Sequence, residues 1–231
     1  MKNIVGSILF SLPPEIYRPL CKFIVKRTVH KYANIKVFNK EIIKGIKSPV
    51  IFIANHLSNS DGIIINEVLE DFNPFFVAGV KLQSKALSRI GVEALNTITI
   101  HPSSADIEAI KKSIKVIKEG HSLMIFPEGT RSRSGKMIEG KKGVVLIAKK
   151  CDVPIVPIGL YGTEKLMPIN DEDMGSEKFY KADVYVNFGE PFKLPEKTED
   201  MNKDEYEEYC LNLMMKKIAE LIPEEYRGVY R

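Results

Sequence analysis

PVIFIANHLSNSDGIIINEVLE, residues 49–70, joins an unbroken apolar run to a polar turn and then to a second apolar stretch. Pro49–His56 reads as a buried strand, and Asp61–Phe72 has helical length and spacing, with Asn73-Pro74 as a stop. Between them, Leu57-Ser58-Asn59-Ser60 is largely turn and N-cap chemistry. His56 and Asp61 stand five positions apart. On a continuous helix that spacing puts two side chains about 140° apart, and on a strand it puts them on opposite faces. The pair can meet only if the chain turns between them, so the segment predicts strand, tight turn, helix.

The same alternation continues outward. NIKVFNKEII suggests a strand or hairpin edge, PFFVAGVKL a strand, SKALSRIGVEAL a helix and NTITIHP a strand. SADIEAIKKSIKVIKEG is the clearest helix: Ser104 can cap it, Ile107, Ile110, Ile114 and Ile117 form its stripe, and Gly120 ends it. SLMIFPEGTRSRSGK runs from strand to loop, KKGVVLIAKK is a helix and VPIVPIGLYG a strand. Residues 163–182 are polar and irregular, DVYVNFGEPF is a strand and turn, and DEYEEYCLNLMMKKIAELI is a closing helix. This order predicts an α/β fold, with a largely parallel or mixed sheet flanked by helices. Residues 1–33 read as a separate N-terminal helical element and 34–231 as the main domain. Within the first, PEIYRPLCKFIVKRTVHKY carries a stripe of Leu20, Phe23 and Ile24 among Lys22, Lys26, Arg27 and Lys31. Such a helix suits an anionic membrane surface, and equally an ordinary packed position on the domain.

At 231 residues the chain can bury one sizeable core, and 44% hydrophobic with 28% charged residues is ordinary for a globular protein. The formal charge of +4 is modest. Cys21, Cys151 and Cys210 are scattered and form neither a metal spacing nor a disulfide framework, which suits a reducing compartment. No segment approaches the roughly 20 apolar residues that cross a bilayer. The opening MKNIVGSILFSLPPEIY has a short apolar stretch, but Pro13 and Pro14 interrupt it and no small-residue cleavage site follows, so a cleaved signal is not expected.

In open α/β sheets, ligand-binding residues gather beyond the carboxyl ends of strands. Three such ends carry unusual residues: His56, the Glu128–Arg131 turn, and the Gly159–Thr163 turn. A neutral imidazole can take a proton from a hydroxyl while a carboxylate holds its other nitrogen. Ser58 and Ser60 lie close by but not in a nucleophile elbow, so the simpler reading of His56 with Asp61 is a dyad that activates a substrate hydroxyl. The alternative is structural, with His56 closing the strand and Asp61 capping the helix. In FPEGTRSRSGK, a glycine turn beside Thr130, Arg131, Ser132, Arg133 and Lys136 offers N–H groups and cations to an anion, most naturally a phosphate. Lys141 and Lys142 add to that field, and Glu128 would orient Arg131 or a backbone turn. A merely solvated basic loop is the alternative. His30, His101 and His121 read as surface or packing residues, and no metal site is indicated.

These residues resemble the membrane-associated glycerolipid acyltransferases typified by 1-acyl-sn-glycerol-3-phosphate acyltransferase. The family's N-H-x-x-x-x-D motif matches Asn55, His56 and Asp61; F-P-E-G-T-R-S matches Phe126–Ser132; and a later V-P-[IV]-[IV]-P-[IV] block matches Val153–Ile158. The resemblance spans about residues 34–190. It implies transfer of a fatty acyl group from an acyl-CoA or acyl carrier protein thioester to a glycerolipid hydroxyl, most naturally that of lysophosphatidate. His56 would be the general base, Asp61 its orienting partner, and Glu128, Gly129, Thr130, Arg131 and Ser132 the substrate-binding loop. It implies no cofactor beyond the acyl donor, and a peripheral, monotopic place on the cytoplasmic face of the cell membrane. The partners would be a lysophospholipid acceptor, the donor thioester and an anionic membrane surface, with no nucleic acid.

One motif departs. Where the family places an acid and an arginine after F-[IV], this chain has His101 and Pro102, and proline has neither charge nor N–H. Either Arg89, Lys81 or Arg131 carries the phosphate, or the acceptor is another lysolipid or glycerol phosphate. A thioester or phospholipid hydrolase using water at the same base is the rival reaction, and a membrane-binding scaffold the rival without chemistry.

Overall fold

The computed structural model describes residues 9–79, 86–100, 105–170 and 177–231. The expectations for Lys81, His101, Pro102 and Ser104, and for the first eight residues of the N-terminal element, lie outside the described residues. Among the described residues, fourteen principal elements follow one another. They are α1 (Pro14–Tyr32), β1 (Ala33–Phe38), β2 (Ile51–Ala54), α2 (Asp61–Val68), β3 (Phe75–Gly79), α3 (Ala86–Glu93), β4 (Asn96–Ile100), α4 (Ala105–Lys118), β5 (Leu123–Ile125), α5 (Gly143–Cys151), β6 (Ile155–Tyr161), α6 (Thr163–Leu166), β7 (Ala182–Phe188) and α7 (Lys203–Ala219).

The strands form one sheet in the order β1-β7-β6-β2-β5-β3-β4. β2 lies between β5 and β6, parallel to both, and all four of its side chains are fully buried. Strand side chains alternate between faces. Accordingly Ile51 and Ile53 enter the core under α4, α5 and α7, while Phe52 and Ala54 enter the core with α2 and Val29 of α1. A strand covered on both faces needs a continuous apolar run, and this is why PVIFIA reads as it does. β7 runs antiparallel to β6 and parallel to β1, so the sheet is mixed. The segment expected as a strand or hairpin edge is β1, an edge strand. It pairs with β7, far along the chain, and closes no hairpin.

Local chemistry sets several boundaries. Gly120 follows α4 with φ +89°, the left-handed conformation that glycine adopts without a Cβ penalty. α7 starts with a capping box: the Asn202 side chain accepts from the N–H groups of Asp204 and Glu205, and the Glu205 carboxylate accepts from the Asn202 N–H. The α4 stripe is incomplete, since Ile117 is buried and Ile107 is exposed.

α1 is apolar on two sides. Tyr17 and Cys21 pack against Ile90 and Ala94 around α3, and Val29 reaches the main core. With the partly buried Val25, which packs on both clusters, these positions recur every four residues along one side of the helix. Leu20, Phe23 and Ile24, the stripe read from the sequence, lie beside that face with Ile16, and these four and Leu12, which precedes the helix, are exposed, Phe23 at 64%. The packed-helix reading therefore holds for residues other than those that suggested it. Among the described residues no helix is long and apolar enough to cross a membrane.

Truncating Ile53 at the sheet centre removes buried methylenes and leaves a cavity flanked by strands on both sides. Ile53→Ala is expected to cost about 2–5 kcal/mol, read as a lower denaturant midpoint in urea unfolding monitored by circular dichroism.

Candidate active site

β2 ends at Ala54, and the next two residues leave the sheet in opposite roles. Asn55 is fully buried, and its amide extends the pairing of β2 with β6 by side-chain means. Nδ2 donates to the Leu160 carbonyl at 2.7 Å and Oδ1 accepts from the Leu160 N–H at 2.9 Å. His56 follows with its ring at the surface of a cavity.

The turn expected between His56 and Asp61 is built around the aspartate. Asp61 Oδ2 accepts from the N–H groups of Leu57 at 2.6 Å and Ser58 at 2.8 Å, and lies 2.7 Å from His56 Nδ1. The carboxylate thus folds the segment back on itself and meets the imidazole in the same step. Its bonded partners lie upstream of α2, so it organises the turn rather than capping the helix. A carboxylate can only accept, so Nδ1 carries the proton and the lone pair belongs to Nε2. Asp61 is fully buried, and its Oδ1 has no hydrogen-bond partner among the described residues. The ring packs flat on Phe126, at 4.2 Å between centroids and 15° between planes, which accounts for an aromatic at the start of the second motif.

The glycine loop after β5 grips the main chain of His56 from both sides. Glu128 Oε1 accepts from the His56 N–H at 2.9 Å, and the Ser132 N–H donates to the His56 carbonyl at 2.8 Å. Glu128 Oε2 accepts from the Ile138 N–H at 3.1 Å. Of the two roles read for Glu128, the turn is the one it fills, because Arg131 pairs elsewhere. Ser132 is likewise turned inward, its Oγ accepting from the Lys136 N–H. Burial pushes the Glu128 carboxyl up to about 7 from an ordinary 4.5, against the two N–H donors that hold it down; the nearby Asp61 charge pushes it further up.

Gly129 and Thr130 are exposed at the turn. Gly129 has φ +67°, and a Cβ there would stand 3.0 Å from Cδ, Cε and Nζ of Lys141. The lysine chain lies across the bare glycine, which only the missing side chain permits. Arg131 Nη1 donates to Glu177 Oε1 at 3.1 Å, and Asn59 Nδ2 donates to the same oxygen at 3.0 Å. Glu177 was invisible in the sequence. It is one acid in an irregular polar stretch, and only the folded chain brings it to the site.

Behind His56 lies a cavity of about 180 Å³ whose walls come from α1, α2, β3 and α3. Ile24, Ile63, Phe76, Ile90 and Val92 make most of it apolar, and His56 and Glu177 are its only ionisable residues among those described. Arg89, the other described cation offered for the phosphate, sits over the Phe10 ring at 3.9 Å and 3.9 Å from Glu93, outside the glycine turn. Residues near position 228 support the loop from outside. The Met137 N–H donates to the Tyr226 carbonyl at 2.8 Å, the Val229 N–H to the Met137 carbonyl at 3.4 Å, and the Gly140 N–H to Tyr230 Oη at 3.0 Å. Gly228, at φ +54°, leaves room for the Met137 carbonyl where a Cβ would overlap it.

The buried Glu128 has a consequence for stability. Its native pKa lies above its unfolded value, so the native state binds more protons between the two. Its contribution to stability is full below about 4.5 and is lost as pH rises through about 7. Glu128→Gln removes that titration. The unfolding free energy of the native protein minus that of the variant should fall between pH 4.5 and pH 7 and then level off, as read from urea melts at a series of pH values.

Residues 26–161 match the family model described as Acyltransferase. The chain is similar to the chloroplastic 1-acyl-sn-glycerol-3-phosphate acyltransferase of Arabidopsis thaliana, 29% identical over 176 residues that make up 73% of this chain and 49% of that protein. It is also similar to a Mycoplasma pneumoniae protein named as a probable 1-acyl-sn-glycerol-3-phosphate acyltransferase, 27% identical over 205 residues, 81% of this chain and 75% of that one. It spans about half the length of the plant relatives it matches. The crystal structure of the 1-acyl-sn-glycerophosphate acyltransferase PlsC from Thermotoga maritima shares the fold, with a TM-score of 0.61 at 23% identity over 90% of this chain and 81% of that one. The matched family region covers more than half of the sequence and includes both strand ends that meet at His56, so the chain belongs to the acyltransferase family.

Proposed function

We propose that this chain transfers a fatty acyl group from an acyl-CoA or acyl carrier protein thioester to the free hydroxyl of a lysophospholipid, lysophosphatidate giving phosphatidate. One observation carries the reading: an imidazole oriented by a buried carboxylate 2.7 Å away opens on an apolar cavity beside a cationic glycine turn. His56 Nε2 takes the acceptor's hydroxyl proton as that oxygen attacks the thioester carbonyl carbon. Asp61 stabilises the imidazolium that results. The tetrahedral oxyanion collapses, the C–S bond breaks, and the imidazolium returns the proton to the departing sulfur. An ester and a free thiol are the products, with no acyl-enzyme on the way. The acyl chain suits the apolar cavity. The acceptor's phosphate suits the turn at Gly129–Arg131 with Lys141 above it.

The exposed side of α1 supports a place on an anionic membrane, peripheral and on the cytoplasmic face where acyl-CoA and acyl carrier protein are found. Leu12, Ile16, Leu20, Phe23 and Ile24 would enter the lipid surface, with Lys22, Arg27 and Lys31 at headgroup level. Ile24 both faces solvent and lines the cavity, so the cavity mouth lies on the side that would meet lipid.

Two measurements test these readings. With labelled acyl donor and lysophosphatidate, the product is expected to be phosphatidate, and His56→Ala should lower the rate by about a hundredfold or more. Fatty acid released at the same rate without acceptor would make the protein a hydrolase instead. Leu20→Glu with Phe23→Glu is expected to weaken co-sedimentation with anionic liposomes while leaving the thermal midpoint in place; unaltered sedimentation would remove the membrane claim.

A further inference from the structure

We propose that the groove where α1 ends holds the headgroup phosphate of an anionic glycerophospholipid, at a site separate from the cavity beside His56. The inference rests on the membrane reading above and gives that surface contact a fixed address on the fold.

The groove, of about 440 Å³, lies between the last turn of α1 and the first residues of β1 and β7. Its charges do not balance. Asp183, the acid in its wall, accepts from Lys36 Nζ at 2.8 Å and from Asn34 Nδ2 at 2.8 Å, and His30 on the rim lies 2.8 Å from Glu67. Lys31 and Lys181 also line the groove, both exposed, and neither has an acid partner among the described residues. A cation in the last turn of a helix suits the helix's negative end, which is reason enough for Lys31 alone. Lys181 stands just before β7 and has no such reason. Together they leave two surplus positive charges around one hollow.

The place of the groove decides which anion it meets. Lys31 follows Ile24 by seven residues, a step that returns to within about 20° of the same side of the helix and advances about 10 Å along it. Ile24 both faces solvent and lines the cavity, so the groove and the cavity mouth lie on one side of α1. When Leu20, Phe23 and Ile24 enter lipid, Lys31 comes to the depth of the phosphates. The partition between the two hollows is aromatic: Tyr32 lines the groove and stacks at 5.9 Å on Phe179, which lines the cavity. A phosphate between Lys31 and Lys181 gains two charge-assisted contacts while its acyl chains stay in the bilayer. Held there, the headgroup fixes the roll of α1 about its own axis and keeps the cavity mouth turned toward lipid.

The test uses the full chain, isotope-labelled for amide NMR, and dihexanoyl phosphatidylglycerol kept below its micelle concentration. The amide signals of Tyr32, Ala33, Asn34 and Ala182 are expected to shift and saturate. Lys181→Gln should raise the dissociation constant about fivefold, the worth of one lysine at an anionic surface. Lys31→Gln should act in the same direction, and serves if the first variant does not fold. Three results overturn the proposal. Shifts confined to His56 and Gly129 would put the lipid in the cavity alone, and equal shifts with inorganic phosphate would make the groove a general anion site. An equal loss from Lys22→Gln, on α1 but outside the groove, would reduce the effect to diffuse attraction. Wild-type protein that does not sediment with anionic liposomes would sink the membrane reading, and the soluble-lipid titration would still decide the groove.

Discussion

The main chain of His56 is bonded to the glycine loop on both sides, and the rest of the site takes its position from that grip. One bond runs from the His56 N–H to Glu128, the other from the Ser132 N–H to the His56 carbonyl. Hydrogen bonds of this kind contribute about 1 kcal/mol each, and about 1.5–3 kcal/mol where one partner is charged. Their larger effect is geometric. β2 and β5 are neighbours in register, Ile53 beside Ile125, so residues that follow the two strands emerge side by side. The grip converts that adjacency into a fixed height for the imidazole over Phe126 and beside the cationic turn. A carboxylate is needed because two N–H donors, from His56 and Ile138, point at one buried spot. Burying it is unfavourable for its charged form, and the raised pKa is the mark of that conflict.

Much of this was legible in residues 49–70 and 126–132, where pattern and chemistry coincide. A doubly buried strand demands an unbroken apolar run, and a histidine and an aspartate five apart demand a turn; both demands are local, so the sequence displays them. What stayed hidden depends on distant partners. The reversed direction of β7 and β1 is set by how the chain returns to the sheet, which no periodicity records. Asn55 stands in the sequence only as the first residue of a motif, but its amide pairs with Leu160, 105 positions away. Glu177 lies in a stretch without pattern and reaches Arg131 across 46 residues. The charges of the glycine loop were plain, whereas which of them face inward was not. Glu128 and Ser132 are occupied with backbone, and Gly129 and Thr130 are open.

α1 illustrates how one pattern can hide another. Leu20, Phe23 and Ile24 draw the eye as an amphipathic stripe, yet the anchoring residues are Tyr17, Cys21 and Val29, which are polar-tipped or small or widely spaced. A helix with two apolar sides serves two environments. One side closes the domain over α3, and the other is left at the surface next to the cavity rim. The helix is therefore part of the wall of the site as well as its outer skin, and the boundary between an N-terminal element and a main domain is one of sequence more than of packing.

The support that residues 226–230 give to Met137 and Gly140 also bears on when the glycine loop gains its outer brace during synthesis. Tyr230 bonds the backbone 90 positions earlier in the chain. A ribosome adding about 5–20 residues per second delivers that tyrosine several seconds after the glycine turn has been made. Through that interval the nascent sheet can form around β2, β5 and β6 while the loop that fixes His56 lacks its outer brace. The order of translation thus leaves the loop that positions His56 without its outer brace until the residues that follow α7 have been made.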